Sequence, residues 1–403
     1  MIGLGYIGLP TSVVLAKAGY VVVGVDVSAS VVETINSGRA HIAEPDLDGL
    51  LHHVVGTGQL RAATAPEEAD VFVLAVPTPF RDEHEPDLSF VQAAARSIAP
   101  YVRPDDLIIL ESTVPPGTTE EMVDWILQER PDLAASGGRR CRFLVAHCPE
   151  RVLPGRILVE LVENDRIVGG IDDESTARAR HFYEGFVRGE CVATTARTAE
   201  LAKLSENAFR DVNIAFANEL SMIAGRLGVD PWDLIALANR HPRVQILQPG
   251  PGVGGHCIAV DPWFIVEAAP DDASLIREAR RTNLRKTDWA VQRIAERYEA
   301  GGGRGPLVCL GLTYKPDVDD LRESPAVTVT RELAKRFPGS VYAVDPHIDQ
   351  VPRELAELDV DLLSLDEAVE VAELAPLLVA HSTFRDAADQ FGPSRSMRIA
   401  TFG

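Results

Sequence analysis

The sequence predicts an α/β protein in which two doubly wound parallel sheets are joined by a long central helix and a helical spacer. Three observations support this fold class. Apolar, β-branched runs alternate with helical periodicity over residues 1–190. The strand signal then disappears between residues 198 and 298. After the glycine-rich stretch GGGRG the same alternation returns and continues through the last part of the chain.

These changes of pattern divide the chain into three predicted domains. Residues 1–190 are expected to form a first α/β domain, and residues 191–299 a helical domain with a cysteine-bearing loop. Residues 300–403 are expected to form a second α/β domain. A chain of 403 residues is long enough for two or three domains, each with its own hydrophobic core.

The first element is a glycine-rich turn. Gly3, Gly5 and Gly8 follow the pattern G-x-G-x-x-G, a helical stretch comes next, and YVVVGVD is an apolar strand that ends at Asp26. An acidic residue 18 positions after Gly8 is near the spacing of a carboxylate that binds a ribose 2′-hydroxyl. The pattern predicts NAD rather than NADP, because the carboxylate would repel a 2′-phosphate. The alternative interpretation is a tight turn without a ligand.

Only Met1 and Ile2 precede this turn, where a β-strand is expected. In a doubly wound sheet that strand is central, so a strand of two residues would leave its neighbours short of backbone partners. We therefore predict that the reading frame upstream of Met1 encodes about four to seven further residues of β-branched, apolar pattern, and that the longer chain is the more stable one.

The other elements follow in order along the chain. Further strands are predicted at ADVFVLAVPTP, DLIILESTVPPG and RFLVAHCPE, with helices between them at SFVQAAARSIAPYV and TTEEMVDWILQER. In the central part, TAELAKLSENAFRDVNIAFANELSMIAGRLG predicts one long helix that stops at Gly228. Strands in the last part are predicted at PLVCLGLTYKP, SVYAVDP and APLLVAHS.

The net charge of −21 argues against nucleic acid and anionic membranes as partners, since an acidic surface repels both. An anionic substrate would therefore need a local basic pocket. No apolar run approaches the roughly 20 residues that span a bilayer, and no leader pattern precedes the turn. These features predict a cytoplasmic protein without a membrane partner.

The five cysteines are odd in number and include no Cys-x-x-Cys pair, so neither a disulfide framework nor a structural zinc site is expected. Two His-Cys dipeptides, at 147–148 and 256–257, could suggest a metal. Neighbouring residues on an extended chain point to opposite faces, so neither dipeptide chelates easily and no metal is predicted.

The stretch GPGVGGHCIAVDP carries the strongest chemical signal. Four glycines within six residues let the backbone approach a ligand, and they lead to Cys257, four residues before Asp261. We predict Cys257 as a nucleophile, because a thiolate in such a setting is strongly nucleophilic. The other cysteines are expected to be buried structural thiols, namely Cys141, Cys148, Cys191 and Cys309.

Two sets of cations are further candidates. Lys203, Asn207 and Arg210 share one face of the predicted long helix, and lysine is scarce in this chain, which favours a specific use for Lys203. The alternative is a solvated polar stripe. Lys315 and Arg322 follow a predicted strand, where open α/β sheets bind ligands, so they indicate a phosphate site or a charged surface loop.

In chain order, GLGYIGLP, the strand ending in Asp26, AVPTPF, ESTVPPGT, CPERVLPG, ELAKLSENAFRDVN, GPGVGGHCIAVDP and GLTYKPDVDDLRESP resemble the nucleotide-sugar 6-dehydrogenases. The resemblance covers nearly the whole chain. It implies two Rossmann-like domains and the NAD-dependent, four-electron oxidation of a UDP-sugar at C6, through a thiohemiacetal and a thioester on Cys257. The expected role is in bacterial surface polysaccharide synthesis.

Before the cysteine, HPRVQILQPGPG replaces the aromatic- and lysine-rich loop usual in the glucose enzymes, which favours an N-acetylated sugar. The expected substrate is UDP-N-acetyl-D-mannosamine. UDP-N-acetylglucosamine, another nucleotide sugar, and an inactive protein that keeps only the NAD fold are the alternatives. The segment RIATFG replaces the usual final strand of the family, which favours the last alternative, whereas the intact Cys257, Lys203, Asn207 and Asp261 argue against it.

The resemblance also assigns residues. The implied catalytic groups are Cys257, Lys203, Asn207 and Asp261. The residues implied to contact NAD are Gly3, Gly5, Tyr6, Ile7, Gly8, Asp26, Thr78, Thr119 and Arg322. The residues implied to hold the sugar nucleotide are Arg151, Val152, Lys203, Asn207, Arg210, His241, Arg243, Gly254, Tyr314 and Lys315. In the family the arginine that matches Arg243 reaches a neighbouring subunit, so a homodimer is implied.

Overall fold

The computed structural model of the chain describes residues 1–81, 85–136, 139–153, 155–255, 257–384, 391 and 395–398. It divides into two compact units, Met1–Ser205 and Glu206–Gly403. The strands are β1 (Val22–Val25), β2 (Leu60–Ala63), β3 (Val71–Leu74), β4 (Leu107–Leu110), β5 (Leu144–His147), β6 (Arg166–Gly170), β7 (Cys191–Thr195), β8 (Leu307–Leu310), β9 (Val341–Val344), β10 (Asp361–Leu362), β11 (Ala375–Leu377) and β12 (Ser396–Arg398).

The helices are α1 (Gly8–Lys17), α2 (Ala29–Asn36), α3 (Leu47–Gly56), α4 (Ser89–Ile98), α5 (Thr118–Glu129), α6 (Ile157–Glu163), α7 (Asp173–Glu184), α8 (Ala196–Leu227), α9 (Pro231–Ala238), α10 (Asp261–Ala268), α11 (Ser274–Ala300), α12 (Pro325–Arg336), α13 (Arg353–Ala356) and α14 (Leu365–Val371). None of the described helices is both long and apolar enough to cross a bilayer. The predicted division into three domains stays a prediction.

In the first unit, Ile2 occupies the centre of the sheet. It bridges β1 at Val25 and β3 at Leu74, so the strand order is β2, β1, Ile2, β3, β4, β5. Numbered along the chain, this is the order 3-2-1-4-5-6 of dinucleotide-binding folds, which confirms the predicted doubly wound class.

The short first strand was expected to leave its neighbouring strands without backbone partners. At the carboxyl edge of the sheet, next to the glycine turn, this expectation is wrong. The N–H of Ile2 donates to the carbonyl of Val73 at 2.7 Å, and the N–H of Ala75 donates to the carbonyl of Ile2 at 2.8 Å. On the other side, the N–H of Val25 donates to the carbonyl of Met1 at 2.8 Å. Two residues therefore suffice to pair both neighbouring strands here, and the upstream extension stays a prediction.

Beyond β5 the sheet departs from the predicted parallel pattern. Strand β6 pairs with β5 in the antiparallel direction, and β7 pairs with β6 in parallel, so the α/β part extends past residue 190 to Thr195. The sequence signal for β6 is weak because Ile167 and Val168 stand between an arginine and two glycines. Those glycines are required by packing, since a Cβ on Gly169 would lie 2.4 Å from the carbonyl oxygen of Thr195.

The inner strands β3, β4 and β5 of the first unit are buried on both faces, as their apolar runs predict, whereas the edge strand β7 is mostly exposed. In β4, Leu107 and Ile109 pack in the core with α1, α3 and α7, whereas Ile108 and Leu110 pack in the core with α4 and α5. Two helical layers therefore cover the sheet, and its carboxyl edge is left for the loops that carry the candidate site residues.

The central stretch is helical, as predicted. Helix α8 runs over Ala196–Leu227 and crosses from the first unit into the second, and α9, α10 and α11 follow it. No strand is assigned among the described residues between 196 and 300.

The second unit contains a five-stranded parallel sheet of order β10, β9, β8, β11, β12. Leu307 and Cys309 of β8 share a core with α11 and α12, and Val308 and Leu310 share one with α14. The predicted second doubly wound domain is thus confirmed. Strand β12 includes Arg398 of the RIATFG segment, and the rest of that segment lies outside the described residues.

Candidate dinucleotide and cysteine sites

The three glycines of the first turn have three different steric surroundings. Gly3 has a φ of +89°, and a Cβ on it would lie 2.6 Å from the carbonyl oxygen of Ala75. A Cβ on Gly8 would lie 1.9 Å from the carbonyl oxygen of Gly3, so only glycine lets α1 begin so close to the strand. A Cβ on Gly5 would meet nothing within 4 Å. The space at Gly5 would allow a pyrophosphate to approach the backbone, and the contact of Gly5 with NAD stays a prediction.

Asp26 stands directly after β1 with its carboxylate held by two backbone groups. Oδ2 accepts from the N–H of Leu4 at 3.1 Å, and Oδ1 accepts from the N–H of Ser28 at 2.9 Å. Each oxygen has a second acceptor site, and the side chain is half-buried at the carboxyl edge of the sheet. The glycine turn and this oriented carboxylate fit the pyrophosphate and the adenosine ribose of NAD.

The other residues predicted to contact NAD differ in exposure. Tyr6 is exposed, and Ile7 and Thr78 are half-buried in loops at the carboxyl edge of the sheet. Thr119 is fully buried, and its hydroxyl donates to Oε1 of Glu200 at 2.6 Å. Arg322 belongs to the second unit, so its contact with NAD stays a prediction.

Glu200 is a residue that the sequence analysis missed. Its carboxylate also accepts from the N–H of Gly117 at 2.6 Å and from the N–H of Thr119 at 2.8 Å, so it caps the amino end of α5 from the first turn of α8. Glu200 precedes Lys203 by one turn of the same helix, and its contacts fix that turn to the first unit. The available signal was that Gly117 offers α5 no side-chain cap of its own.

Lys203 is half-buried on α8, and its charge acts on His147 at the end of β5. Burial lowers the pKa of His147 to about 3, and the ammonium of Lys203 contributes further to this lowering. Arg151 and Val152 follow the same strand. The N–H of Val152 donates to Oε2 of Glu150 at 2.7 Å, and Nη1 of Arg151 donates to the carbonyl of Asp165 at 3.4 Å.

The five cysteines separate as predicted. Cys257 is partly exposed, whereas the other four are buried. Burial raises the pKa of the Cys141 thiol to about 11 and that of Cys309 to about 12, and it also raises the pKa of Cys148 and Cys191. These four thiols are held in the unreactive protonated form.

Cys257 lies in a turn that leads into α10. Its carbonyl accepts from the N–H of Val260 at 3.0 Å and from the N–H of Asp261 at 2.8 Å. The buried side chain of Asp261 accepts a hydrogen bond of 2.6 Å from Nδ2 of Asn207 on α8. Two of the predicted catalytic residues, Asn207 and Asp261, are therefore in direct contact, and Asp261 follows the thiol by four residues.

The loop that follows β8 packs against the cysteine loop. A Cβ on Gly254 would lie 2.5 Å from the carbonyl oxygen of Glu323 and 2.9 Å from Cβ of Tyr314. The N–H of Gly255 donates to the carbonyl of Arg322 at 3.1 Å. Burial raises the pKa of Tyr314, with further contributions from Asp320 and Cys257. Gly254 and Tyr314 thus lie in contact at the cysteine loop, and their binding of the sugar nucleotide stays a prediction.

The remaining residues predicted to bind the sugar nucleotide are Lys315, Arg210, His241 and Arg243. Nζ of Lys315 is 5.5 Å from the centre of the Tyr314 ring. Arg210, His241 and Arg243 are exposed, and the N–H of Arg243 donates to Nδ1 of His241 at 3.3 Å. For these four side chains the predicted role stays a prediction.

One histidine cluster in the second unit has donor atoms at metal-like distances. Single ligand atoms of Asp317, His347 and His381 all lie within 4.8 Å of one another. However, Nδ1 of His381 already accepts from the N–H of Asp317 at 3.0 Å, and Nε2 faces Oδ2 of Asp345 at 3.1 Å. The lone pair that a metal would use is occupied, so the cluster is a hydrogen-bonded support for the loop after β8. His256 lies outside the described residues.

A sheet of dinucleotide-binding order with a glycine cradle, joined to a second unit with a cysteine loop, defines an NAD-dependent oxidoreductase. Three family models match the chain: the NAD-binding domain of the UDP-glucose/GDP-mannose dehydrogenase family over residues 1–187, its central domain over 197–285 and its UDP-binding domain over 308–397. The chain belongs to the UDP-glucose/GDP-mannose dehydrogenase family. NAD is its cofactor, a UDP-sugar its substrate, and it is a nucleotide-sugar dehydrogenase.

Individual relatives agree. The chain is 54% identical over 388 residues to an NDP-N-acetyl-D-galactosaminuronic acid dehydrogenase of Ralstonia nicotianae, covering 96% of this chain and 91% of the relative. It is 50% identical over 394 residues to the UDP-N-acetyl-D-mannosamine dehydrogenase of Escherichia coli, covering 96% and 94%. The UDP-N-acetyl-mannosamine dehydrogenase structure from Staphylococcus aureus superposes with a TM-score of 0.86 at 42% identity, covering 98% and 91%. The predicted resemblance is confirmed.

Proposed function

We propose that the chain oxidises UDP-N-acetyl-D-mannosamine at C6 to the corresponding uronate, for the synthesis of a bacterial surface polysaccharide. The overall change converts a primary alcohol, two NAD⁺ and one water into a carboxylate, two NADH and three protons. NAD, when bound, supplies the hydride acceptor for each of the two oxidations. The relatives named for UDP-N-acetyl-D-mannosamine at about half identity support this choice of sugar.

Cys257 is the proposed nucleophile. After the first oxidation its sulfur adds to the C6 aldehyde carbon, and the carbonyl oxygen takes up a proton, which gives a thiohemiacetal. Loss of a second hydride and a proton gives the thioester. Water then adds to the thioester carbon, the C–S bond breaks, and the thiolate is recovered with the uronate. Partial exposure of Cys257, against four buried thiols, is the observation that carries this proposal.

Lys203, Asn207 and Asp261 are the proposed supporting groups. The ammonium of Lys203 exchanges protons with the C6 oxygen or stabilises an oxyanion there. Asn207 is a neutral donor, and Asp261 orients the hydrolytic water. The hydrogen bond of 2.6 Å between Asn207 and Asp261 supports a shared role, because it fixes both side chains at the turn that presents the thiol.

We also propose a homodimer formed through α8. Three large apolar side chains of this helix, Phe209, Phe216 and Ile223, are exposed by 68%, 52% and 47%. They recur every seven residues, so they lie on one stripe of the helix, as in helix pairs. A second copy of the chain that presents the same stripe would cover this apolar surface, which faces water in a single chain. Arg243 is proposed to reach the neighbouring subunit's site.

The stoichiometry of NADH and uronate tests the nucleophile. The parent enzyme is expected to form two NADH per uronate, and Cys257→Ser to form no uronate while it still binds NAD and UDP-sugar. The matched control is Cys141→Ser, because that buried thiol donates to the carbonyl of Phe143 at 3.2 Å and a hydroxyl can do the same. Uronate formation by Cys257→Ser at the parental rate would exclude a covalent intermediate.

Lys203→Arg tests the proton-exchanging ammonium. A guanidinium keeps its proton at working pH and is larger, so a loss of about 10²-fold or more in turnover is expected. Arg210→Lys, on the same helix face, is the comparison that changes cation type without touching Lys203. Near-normal turnover of Lys203→Arg would reduce this residue to a surface charge.

A second sugar has a specific observation in its favour. The relative at 54% identity is named as a dehydrogenase of N-acetyl-D-galactosaminuronic acid rather than of the mannosamine sugar. Initial rates with the UDP derivatives of N-acetylmannosamine, N-acetylgalactosamine, N-acetylglucosamine and glucose separate the candidates. The largest kcat/KM is expected for UDP-N-acetylmannosamine, and a larger value for another sugar would reassign the substrate.

A further inference from the structure

The loop that carries Cys257 is attached to α8 at two points. Behind the cysteine, Asp261 accepts from Nδ2 of Asn207 at 2.6 Å. Ahead of it, the N–H of Gly250 donates to Oδ1 of Asn218 at 2.7 Å. Gly250 and Asp261 are eleven residues apart, and so are Asn207 and Asn218. Eleven residues are close to three helical turns, so the two asparagines lie on one face of α8, about 16 Å apart.

The orientation of the Asn218 amide is set by its neighbours. Nη1 of Arg280 donates to Oδ1 of Asp211 at 2.6 Å, and Nδ2 of Asn283 donates to the same oxygen at 2.7 Å. With its NH₂ group committed to the carboxylate, Asn283 presents Oδ1 to Nδ2 of Asn218 at 2.8 Å. The carbonyl of Asn218 is therefore left to accept from Gly250. An ion pair thus orients two amides in series.

This relay is deeply buried. Asp211 and Asn218 are 0% exposed, Asn283 is 1% exposed and Arg280 is 3% exposed. Burial raises the pKa of Asp211, while Arg280 and Asn283 act in the opposite direction. In such surroundings a polar group that loses its partner stays unsolvated, so exchanging the donors and acceptors between Asp211, Asn283 and Asn218 is costly. Among the described residues, Oδ2 of Asp211 and Nε of Arg280 have no hydrogen-bond partner.

The loop between the two attachment points has no regular structure of its own from Gly250 to Gly255. Its path is narrow where it passes α11 and α12. A Cβ on Gly252 would lie 2.4 Å from Oγ1 of Thr287 and 3.0 Å from Cβ of Pro325. Four glycines give this segment conformational freedom, and the attachments at its ends remove that freedom.

We infer that Asn218 is a positioning residue for Cys257, acting as the second attachment of the cysteine loop opposite Asn207. The inference rests on the proposed role of Cys257 as nucleophile. Asn218 touches no reacting atom; it holds the loop at Gly250, and through the loop it holds the thiol. Misplacement of a reacting group by about 1 Å is enough to lower a rate about 10²-fold, so one amide can matter at this distance from the chemistry.

Asn218→Ala is the first test. A 10- to 100-fold loss in kcat is expected, with KM for NAD and for the UDP-sugar within about threefold of the parent. Asn213→Ala is the matched control, because Nδ2 of Asn213 donates to the carbonyl of Phe209 within α8 and, among the described residues, to no group of the cysteine loop. The control should keep the parental kcat. If Asn218→Ala keeps kcat within twofold of the parent, the inference is wrong.

Asn218→Asp gives a readout that a general loss of packing would not move. The protonated carboxyl group has the shape of the amide, donates to Oδ1 of Asn283 and accepts from Gly250. The ionised group loses the donor and sets two oxygens against Oδ1 of Asn283. The ratio of its kcat to the parental kcat should therefore fall as pH rises, whereas the ratio for Asn218→Ala should stay flat. A flat ratio for Asn218→Asp contradicts the relay.

The two proposals fail in different ways. If Cys257→Ser still forms uronate, the nucleophile assignment is wrong whatever Asn218 does. If Cys257→Ser forms none while both Asn218 variants turn over like the parent, the nucleophile stands and the positioning role is wrong. Should Asn218→Ala not fold, the pH profile of Asn218→Asp, which keeps the size of the side chain, decides alone.

Discussion

The two units of this molecule use the same strand, glycine and aspartate arrangement at their carboxyl edges, and they use it differently. In the first unit, the N–H of Gly3 donates to the carbonyl of Val25 at 2.8 Å, and Asp26 follows. In the second unit, the N–H of Gly311 donates to the carbonyl of Val344 at 2.8 Å, and Asp345 follows. Gly3 and Gly311 have φ values of +89° and +88°.

The two carboxylates accept similar hydrogen bonds from backbone N–H groups. Asp26 accepts from the N–H groups of Leu4 and Ser28, and Asp345 accepts from those of Leu312 and His347, at distances of 2.7 to 3.1 Å. The two carboxylates differ in how far their other side is exposed. Asp26 is half-buried, whereas the side chain of Asp345 is fully buried under Nε2 of His381 at 3.1 Å. A ribose hydroxyl can reach the first carboxylate, and a histidine ring occupies that place at the second.

The turns differ as well. Helix α1 begins five residues after Gly3, so its first amide groups lie beside the glycine backbone, where NAD is predicted to bind. Helix α12 begins fourteen residues after Gly311, and the added residues form the loop with Lys315 and Arg322. The two units therefore offer different groups for the predicted binding of phosphate. The first unit offers backbone N–H groups, and the second offers cationic side chains on a loop, whose role in the match to a UDP-binding domain stays a prediction.

The largest effect is expected from a substitution that disrupts the turn formed by Gly3, Gly5 and Gly8. Gly8→Ala should abolish measurable NAD binding, because its Cβ would lie 1.9 Å from the carbonyl oxygen of Gly3 and force the turn apart. Gly5→Ala is the matched variant: its Cβ meets nothing within 4 Å, so the fold should be kept. Calorimetric titration with NAD, with melting as the control, measures both. Parental NAD affinity of Gly8→Ala would show that the cradle adapts.

Exchanging the two aspartates for asparagine should give opposite results. Asp345→Asn is expected to lose about 2–4 kcal/mol of unfolding free energy, because an NH₂ group would face buried donors. Its NAD affinity should stay unchanged. Asp26→Asn should lower the melting temperature much less, because the half-buried side chain leaves water in reach of the displaced N–H group. It should lose about tenfold in NAD affinity, because the ribose loses a charged acceptor. Thermal unfolding and NAD titration on each variant give the four values.

If Asp26→Asn instead lowered the melting temperature as much as Asp345→Asn, the contrast between an open and a closed carboxylate would be wrong. The double variant should show additive effects, because the two sites lie in separate compact units and share no partner.

Buried bases should give the two units different pH windows of stability. Burial lowers the pKa of His147 in the first unit from 6.5 to about 3, and that of Lys286 in the second from 10.5 to about 7. In each window the unfolded chain binds a proton that the folded chain refuses, so stability rises with pH across the window. The contribution of His147 is therefore lost from pH 6.5 down to about 3, and that of Lys286 is gained from about 7 up to 10.5.

Each window is worth a few kcal/mol at most, at about 1.4 kcal/mol per pH unit. Melting curves between pH 4 and pH 10 test this with two variants. Lys286→Met should flatten the alkaline rise and keep the acid fall, and His147→Gln should do the reverse. Curves that keep both limbs in both variants would show that other groups set the pH dependence.

Local patterns predicted much of this molecule. The alternation of apolar runs and helical stretches predicted both sheets and α8, and the glycine spacing with Asp26 predicted the cradle. Strand β6 was missed, because its direction and its glycines depend on contact with β7 rather than on a periodic pattern of its own.

The candidate site was predicted only in part, for a similar reason. Cys257 and Asp261 stand in one motif, so the sequence alone marks them. Glu200 and Asn218 act through backbone groups far along the chain, at Thr119 and Gly250. Partners separated in this way leave only indirect signals in a single sequence, such as the missing side-chain cap at Gly117. Only the spacing of eleven residues from Asn207 to Asn218, matched in the cysteine loop, carries a trace of the second pair.

The smallest effect is expected when a residue of one unit is replaced by the residue type of its counterpart in the other unit. His347 corresponds to Ser28, since both follow the aspartate by two residues and donate a backbone N–H to Oδ1, at 2.9 Å in each case. Nε2 of His347 lies 3.5 Å from Oδ1 of Asp317, and solvent screens this contact because the side chain of Asp317 is 46% exposed. His347→Ser keeps the backbone donor and removes only this side chain, so the melting temperature should change by no more than about 1–2 °C. His381→Ser is the contrasting variant, because it removes a buried ring that joins Asp345 to the N–H of Asp317, and it should lower the melting temperature several times more. Thermal unfolding at neutral pH measures both. If the two substitutions cost the same, the ring of His347 would be part of the closure over Asp345, and the difference between the two units would rest on two histidines instead of one.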